Sequence, residues 1–310
     1  MNNQQRSGVE FVNVGKRLHF KVVARLSAIC LLIALSSCVV GMLLSVETFF
    51  NAIGRTMHSR PWSATVPDSL VQINEEMTFE ASYLFLKIGS IRFQVLGKTE
   101  YDSSLVYHLR AYIDSYNGIP FVDFHSVYET YADAKTLFCT FNSRSQKDGK
   151  NWIYTTTVFN FDKKKITWEQ MLGGDTIRKI DLPLDMNYTN GVSFVYYLRM
   201  KCREAAGQRM QVNVPITDDT VQSFIHMAIN ENKEPCDVTA FDFPLDAYRL
   251  DGHLDFIGTF GISGDFEGWM AADSSSVPLK AKIKLLLGNV VVQLKDIKRR
   301  DWMPPRASDE

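Results

Sequence analysis

The residues of this chain best suited to acid–base or metal chemistry are six histidines: His19, His58, His108, His125, His226 and His253. They are scattered. No HExxH pair occurs, and no two histidines stand at a metal-ligand spacing. His58 lies in a segment that reads as linker. His108, His125 and His226 lie inside runs that read as strands, where a structural histidine is the commoner case. His253 belongs to Asp251-Gly252-His253, which reads as a turn. A catalytic role for His125 would require Asp123 and a second acid to gather round it in a cleft.

Nucleophilic chemistry has one near miss. Gly261-Ile262-Ser263-Gly264-Asp265 approaches the hydrolase elbow GxSxG, but its second glycine comes one place early and no helical pattern follows, so it reads as a hairpin turn. Asp242, Asp246, Asp251 and Asp255 do not follow the spacing of a calcium loop and read as a solvated loop face. Phosphate-cradling glycine motifs are absent. Cys139, Cys202 and Cys236 are widely spaced, with no CxxC and no Cys/His cluster. They allow one disulfide with one free thiol, or three buried thiols. No catalytic residue, metal or cofactor is therefore expected, and the sequence reads as non-enzymatic.

The remaining chemistry is aromatic. With 20 Phe, 12 Tyr and 5 Trp, the chain is suited to pleated, half-buried surfaces. A sheet that curls into open half-barrels leaves an aromatic-lined concavity, where β folds of that shape hold ligands. The expected liners are Phe79, Tyr83, Phe85, Phe93, Tyr112, Tyr197, Phe260 and Trp269, for an apolar or amphipathic ligand such as a lipid, or a glycan. The competing reading makes them plain core. A rival function is an assembly factor that contacts another envelope protein through a sheet edge or a Tyr196–Arg199 helix surface. Nucleic acid is excluded as a partner, because 34 basic and 35 acidic residues are spread without a basic stripe.

The elements that must position these residues are mostly strands. From Met77 the period is two: Phe79, Ala81, Tyr83 and Phe85 share one face, a Lys87-Ile88-Gly89-Ser90 turn follows, and Ile91, Phe93 and Val95 alternate again. Further strands are expected at Val106–Asp114, Asp123–Tyr131, Thr136–Ser143, Trp152–Phe161 and Lys165–Met171. Asn190 caps a helix over Gly191–Ala205. Strands resume at Gln211–Pro215, Gln222–Ile229, Cys236–Phe243, Leu254–Phe260, Gly268–Ala272, Leu279–Leu287 and Asn289–Ile297. The expected fold is all-β: an antiparallel wrapped sheet of open half-barrels with one short central helix, preceded by an N-terminal hydrophobic helix. Lys163-Lys164-Lys165 is expected to blunt a sheet edge.

The N-terminus predicts the compartment. Arg6, Lys16, Arg17, Lys21 and Arg25 precede an uncharged run from Leu26 to Val46, and Glu47 follows. That flank asymmetry keeps the leader inside and sends the rest outward. Residues 1–25 form a basic leader, 26–46 a signal peptide or membrane anchor, 47–72 a linker, 73–298 the β domain and 299–310 a flexible tail. Leu35-Ser36-Ser37-Cys38 resembles a lipobox, making Cys38 a candidate lipidation site. An uncleaved anchor and cleavage further on are the alternatives. All three place the β domain on the periplasmic side of a bacterial envelope.

Three stretches resemble the bacterial exported family of unknown function called DUF3108. They are Phe79-Glu80-Ala81-Ser82-Tyr83 through Ile91, the helical Phe194-Val195-Tyr196-Tyr197-Leu198-Arg199, and Gly264-Asp265-Phe266-Glu267-Gly268-Trp269-Met270-Ala271 with Asp273, Val277-Pro278-Leu279-Lys280-Ala281 and Gly288-Asn289-Val290. The resemblance covers roughly residues 72–298. It implies a single exported domain of open barrel-like halves, similar to the YmcC-like fold of envelope lipoproteins. That family has no agreed reaction, so the resemblance carries over no site residue.

Overall fold

Among the described residues, period-two alternation is realised as fourteen antiparallel strands in one sheet. The structure is a computed structural model. It describes residues 66–67, 69–119, 123–204, 207–215, 222–254, 264–285 and 288–308. The leader, the apolar run with Cys38, and Phe260 lie outside the described residues. The first eight strands are β1 (Glu76–Tyr83), β2 (Leu86–Tyr101), β3 (Ser104–Ser115), β4 (His125–Asp133), β5 (Cys139–Asp148), β6 (Asn151–Asn160), β7 (Lys165–Leu172) and β8 (Asp175–Pro183). After helix α1 (Gly191–Glu204) come β9 (Arg209–Pro215), β10 (Gln222–Cys236), β11 (Leu245–Leu254), β12 (Gly264–Ala271), β13 (Pro278–Lys284) and β14 (Asn289–Lys298).

Hairpin connections pair each strand with its sequence neighbour, and the first strand pairs with the last, Glu76 opposite Lys298. The order therefore runs β8 to β1, then β14 to β9. Joining β8 to β9 would close a cycle; the sheet is open there, and α1 is the segment between those edges. Asn190 caps α1 as the sequence predicts: its Oδ1 accepts the Ser193 N–H at 2.8 Å, and its own N–H donates to Ser193 Oγ at 3.0 Å. Val192, Phe194, Val195, Tyr196, Leu198, Met200 and Cys202 are all buried. A helix apolar around its whole girth belongs inside a core. Val195, Tyr196 and Met200 pack with Phe79, Phe93 and Leu294, while Phe194 and Leu198 pack with Ile229, Leu250 and Phe266. The helix thus plugs the space the sheet curls around.

Several expectations about elements are corrected. The first hairpin turns at Leu84 and Phe85, not at Lys87–Ser90, and Leu84 takes a φ of 54°. Gly89 is instead a strand residue, because a Cβ there would lie 2.4 Å from the Asp114 carbonyl oxygen on β3. The unexpected β8 carries Asp-Thr-Ile-Arg-Lys-Ile-Asp with most side chains exposed, so it shows no apolar alternation. His253 lies in β11 opposite His226, not in a turn. The lysine run opens β7, an interior strand, because β8 covers it. The C-terminal tail is docked: Asp246 N–H donates to the Pro305 carbonyl, Ala307 N–H to that of Pro244, and Trp302 Nε1 to Asp273 Oδ2 at 2.6 Å. The end of the linker also enters the core, with Leu70 and Val71 buried.

Candidate functional site

The register divides the expected liners between two faces. Along the row Ile229–Leu250–Gly268–Ala281–Val292–Ala81, directly opposed residues share the inner face. Three of the six are Gly or Ala, so the floor beneath the helix is low. A hollow of about 90 Å³ results, roofed by Phe194, Val195 and Leu198 and walled by Phe79, Phe93, Phe266 and Ile283. Phe79 and Phe93 meet edge to face, with centroids 5.9 Å apart. Gly268 is required there, since a Cβ would come within 2.8 Å of the Leu250 side chain.

Of the seven expected liners among the described residues, Phe79 and Phe93 border this hollow. Tyr83 is buried beside it in the same apolar cluster as Phe194. Phe85 is 86% exposed on the first hairpin turn. Tyr197 stacks on Phe138, at 5.4 Å between centroids. Tyr112 and Trp269 project from the opposite face: the Arg92 guanidinium lies 4.4 Å from the Tyr112 ring centroid, and Trp269 Nε1 donates to Glu234 Oε1 at 2.5 Å. Both stand at odd register positions relative to Phe93 and Phe266, so alternation turns them outward. Phe260 and Cys38 lie outside the described residues.

His125 does meet two acids. Its Nδ1 is 2.8 Å from Asp114 Oδ1 and its Nε2 is 3.2 Å from Asp123 Oδ1, and Lys147 Nζ also reaches Asp123 at 2.6 Å. The cluster sits in the open, with the Asp123 side chain 61% exposed. Both ring nitrogens are engaged by carboxylates. Lysine 147 and, to a lesser degree, His125 hold the Asp123 carboxyl below its usual range. This is an ion-paired surface patch. A second recess of about 690 Å³ lies over β10–β12. Its charges are mutually paired: Arg249 with Asp251 at 2.8 Å and Glu267 at 3.0 Å, and Asp265 with His253 at 2.8 Å and Lys284 at 3.1 Å.

One buried polar arrangement was not anticipated. Arg199 of α1 donates through Nη1 to Glu75 Oε1 at 2.5 Å and through Nη2 to Glu75 Oε2 at 3.2 Å. Its Nε donates to the Ser275 carbonyl at 3.0 Å. Arg299 Nη1 donates to the same Glu75 carboxylate. Burial pushes both arginines down to about 10, so each remains cationic at neutral pH. Asp273, which accepts Trp302 Nε1, organises the Ser275–Ser276 turn through its Oδ1. The YYLR helix stretch and the Trp269–Asp273 stretch therefore meet at Ser275. The sequence signal available was an arginine flanked by Leu198 and Met200 in the middle of the helix. Tyr196 and Arg199 are buried, and Tyr197 is partly buried. All three described cysteines are buried and free.

Comparison with known proteins gives a family match over residues 78–295, described as Protein of unknown function (DUF3108). No curated protein matches the chain. Among solved structures, a beta-barrel-like protein of the domain of unknown function DUF1849 from Brucella abortus aligns with 8% identity and a TM-score of 0.47, covering 74% of this chain and 99% of its own. A candidate exported protein with a YmcC-like fold from Bacteroides fragilis aligns with 12% identity and a TM-score of 0.30, covering 74% of this chain and 98% of its own. A candidate lipoprotein from Parabacteroides distasonis has 9% identity and a TM-score of 0.30, covering 76% and 100%.

Proposed function

This chain belongs to the DUF3108 family of proteins of unknown function, and from that premise we propose that it is an exported, non-catalytic envelope protein that holds a small apolar group beneath α1. The observation that carries this reading is the hollow of about 90 Å³ between Phe194, Leu198 and the Gly268–Ala281 floor. Its size limits the ligand. An apolar cavity of about 150 Å³ takes up benzene, so this smaller one suits a branched alkyl end or a few methylenes. A whole lipid chain would enter only if α1 moved. The export half of the proposal rests on the basic leader, the uncharged 26–46 run and the lipobox-like Leu35–Cys38.

Native mass spectrometry of the full chain released from its own membranes tests the ligand. A bound apolar molecule in the wild type that is lost in Ala281→Leu, which fills the hollow, is the expected result. Empty protein in both, together with no saturable xenon shift by xenon-129 NMR, would remove the proposal. Export is tested by protease digestion of intact and osmotically opened cells. Palmitate labelling that disappears in Cys38→Ser separates the lipoprotein from the anchor.

The rival assembly role would use an edge of the open sheet, such as that of β8. Ile177 is 52% exposed there, next to the exposed Leu172 of β7. A stoichiometric membrane protein captured by the full chain, and lost on Ile177→Lys, would favour that role.

A further inference from the structure

Hairpin turns in this sheet follow a common chemistry, and the first hairpin departs from it. The two-residue turns after β2, β5 and β7 are Asp102-Ser103, Gly149-Lys150 and Gly173-Gly174, polar residues or glycines suited to water and to left-handed backbone. The turn after β1 is Leu84-Phe85. Leu84 takes a φ of 54°, a conformation that costs a leucine more than a glycine or an asparagine. Leu84 is 64% exposed, Phe85 86% and Leu86 45%. Backbone and side chains at this tip are both unfavourable in water.

We propose that the Leu84–Phe85–Leu86 tip is a membrane-docking element that inserts into the headgroup–acyl boundary of a phospholipid bilayer. The reading rests on neither the hollow nor export, and four observations carry it. First, the tip projects from a firm base. Tyr83, Ile88 and Val290 beneath it are buried in one core cluster, and Leu84 leans on the β13–β14 turn, where a Cβ on Gly288 would come within 2.9 Å of its side chain. Second, other exposed apolar side chains gather at the same end of the sheet. The antiparallel order places there the start of β6, with Trp152 41% and Tyr154 48% exposed, and the β7–β8 turn, with Leu172 and Ile177 exposed beside it. Indole and phenol rings favour the membrane–water interface, and clustered exposed apolar groups mark contact surfaces.

Third, the tip carries no charge, and the cation next to it, Lys87, is paired with Glu80 at 2.7 Å. The attraction is therefore apolar, so zwitterionic lipid suffices. Fourth, area and reach favour a bilayer over a second copy of the chain. Three side chains on a tip fall short of the roughly 800 Å² per partner that a stable protein interface buries, whereas a bilayer takes up a protruding tip without a complementary surface. The linker enters the sheet at the far end, where Glu76 opens β1 opposite Lys298. That end lies about 26 Å from the tip along the eight residues of β1. Residues 47–65 span up to about 65 Å when extended. A chain held by its 26–46 run thus has enough length to set the tip on the same bilayer, and tethering makes a weak contact sufficient.

Photo-crosslinking of the full chain reconstituted in dioleoylphosphatidylcholine vesicles tests the site. Leu86 is replaced by p-benzoylphenylalanine in one sample; in the other it replaces Leu105, which is 55% exposed at the opposite end of the sheet. Lipid adducts at position 86, read by mass spectrometry, should exceed those at 105 about ten-fold or more. Phe85→Asp should lower the yield at 86 about ten-fold, as loss of a buried phenyl group implies. Leu84→Asn should also lower it without lowering the thermal midpoint, because asparagine tolerates the φ of 54°. A merely structural Leu84 predicts the reverse, a lower midpoint with unchanged adducts, and that result overturns the proposal. So do equal yields at 86 and 105, adducts to a second copy in place of lipid, or a yield untouched by Phe85→Asp. If Leu84→Asn lowers both midpoint and adducts, Phe85→Asp at the more exposed position decides the matter.

Discussion

Substituting Glu75 by Gln removes one negative charge from between two buried guanidiniums and changes almost nothing in shape. Glu75 is 2% exposed, Arg199 is fully buried, and the Arg299 side chain is 2% exposed. The glutamine retains one acceptor oxygen, but its amide must point two donors at a guanidinium that also donates. Removing one partner of a buried ion pair costs about 3–5 kcal/mol, a third or more of the stability of many domains. With an m-value of about 3 kcal/mol/M, the urea midpoint should fall by about 1 to 1.7 M. The neighbouring Glu76 is the internal control. It pairs with Lys298, whose side chain is 68% exposed, so Glu76→Gln should cost less than about 1 kcal/mol. Urea unfolding of the full chain in detergent, followed by the β-sheet circular dichroism signal, measures both. A midpoint shift no larger for Glu75→Gln than for Glu76→Gln would refute the reasoning. Adding Arg199→Met to Glu75→Gln should recover part of the loss, since it removes one of the stranded cations.

Burial would raise the Glu80 carboxyl, but hydrogen bonds from Lys87, Lys295 and Tyr116 outweigh it and hold the group below 4.5. Its stabilising contribution is therefore present above that value and lost as pH falls through the lowered one, so the stability gap between wild type and Glu80→Gln at pH 7 should close as the carboxylate is protonated in acid. Burial pushes the Cys202 thiol up to about 12 and the Cys236 thiol up to about 11, and raises that of Cys139 as well. Peptide mapping after iodoacetamide should find all three unlabelled in native protein and labelled in urea. Gly89→Ala drives a methyl group against the β3 backbone and should cost at least about 1–3 kcal/mol by thermal unfolding, more than the same change at the open turn residue Gly149 costs through its φ of 59°.

The sequence displays strands where one face is buried and the other is wet. β3, β4, β6 and β7 therefore stand out, because apolar and polar residues alternate through Val106–Asp114 and Trp152–Phe161. It hides β8, whose side chains are mostly exposed and whose strand character comes from pairing with β7. It hides β11 for a related reason: its charged Arg249 is neutralised by Asp251 on the same strand and by Glu267 across on β12, 18 positions away. The liners fail in a more instructive way. Choosing aromatics by type ignores phase, and a shift of one position sends Tyr112 and Trp269 to the far side of the sheet from Phe93 and Phe266. Bulges compound this, with register shifts at Thr78/Phe79 and Ala81/Ser82 in a single eight-residue strand. The helix was legible because Asn190 and the spacing of Phe194, Tyr197 and Leu198 are local signals. Its role as a plug was not, since that depends on which edges it lies between.

The same topology explains why a charged cluster sits inside an apolar core. Glu75 immediately precedes β1, Arg299 immediately follows β14, and Arg199 comes from the helix between the two edge strands. The strands that Glu75 and Arg299 flank are held together at Glu76 and Lys298, 222 residues apart in sequence. Contacts at that separation carry a large closure entropy and form late. An all-aliphatic contact at this seam would tolerate partial assembly, because apolar surfaces pack against whatever is near. A carboxylate shared by two arginines does not: any arrangement that brings together only some of the three segments leaves a charge buried without its counter-charge. The cluster thus adds little net stability over a well-packed apolar seam, yet it penalises every state in which the first strand, the last strand and the plug are not all seated. A sheet whose order is one step short of cyclic needs such a check, since pairing of β1 with β2 alone, or β13 with β14 alone, already satisfies most of its local hydrogen bonds.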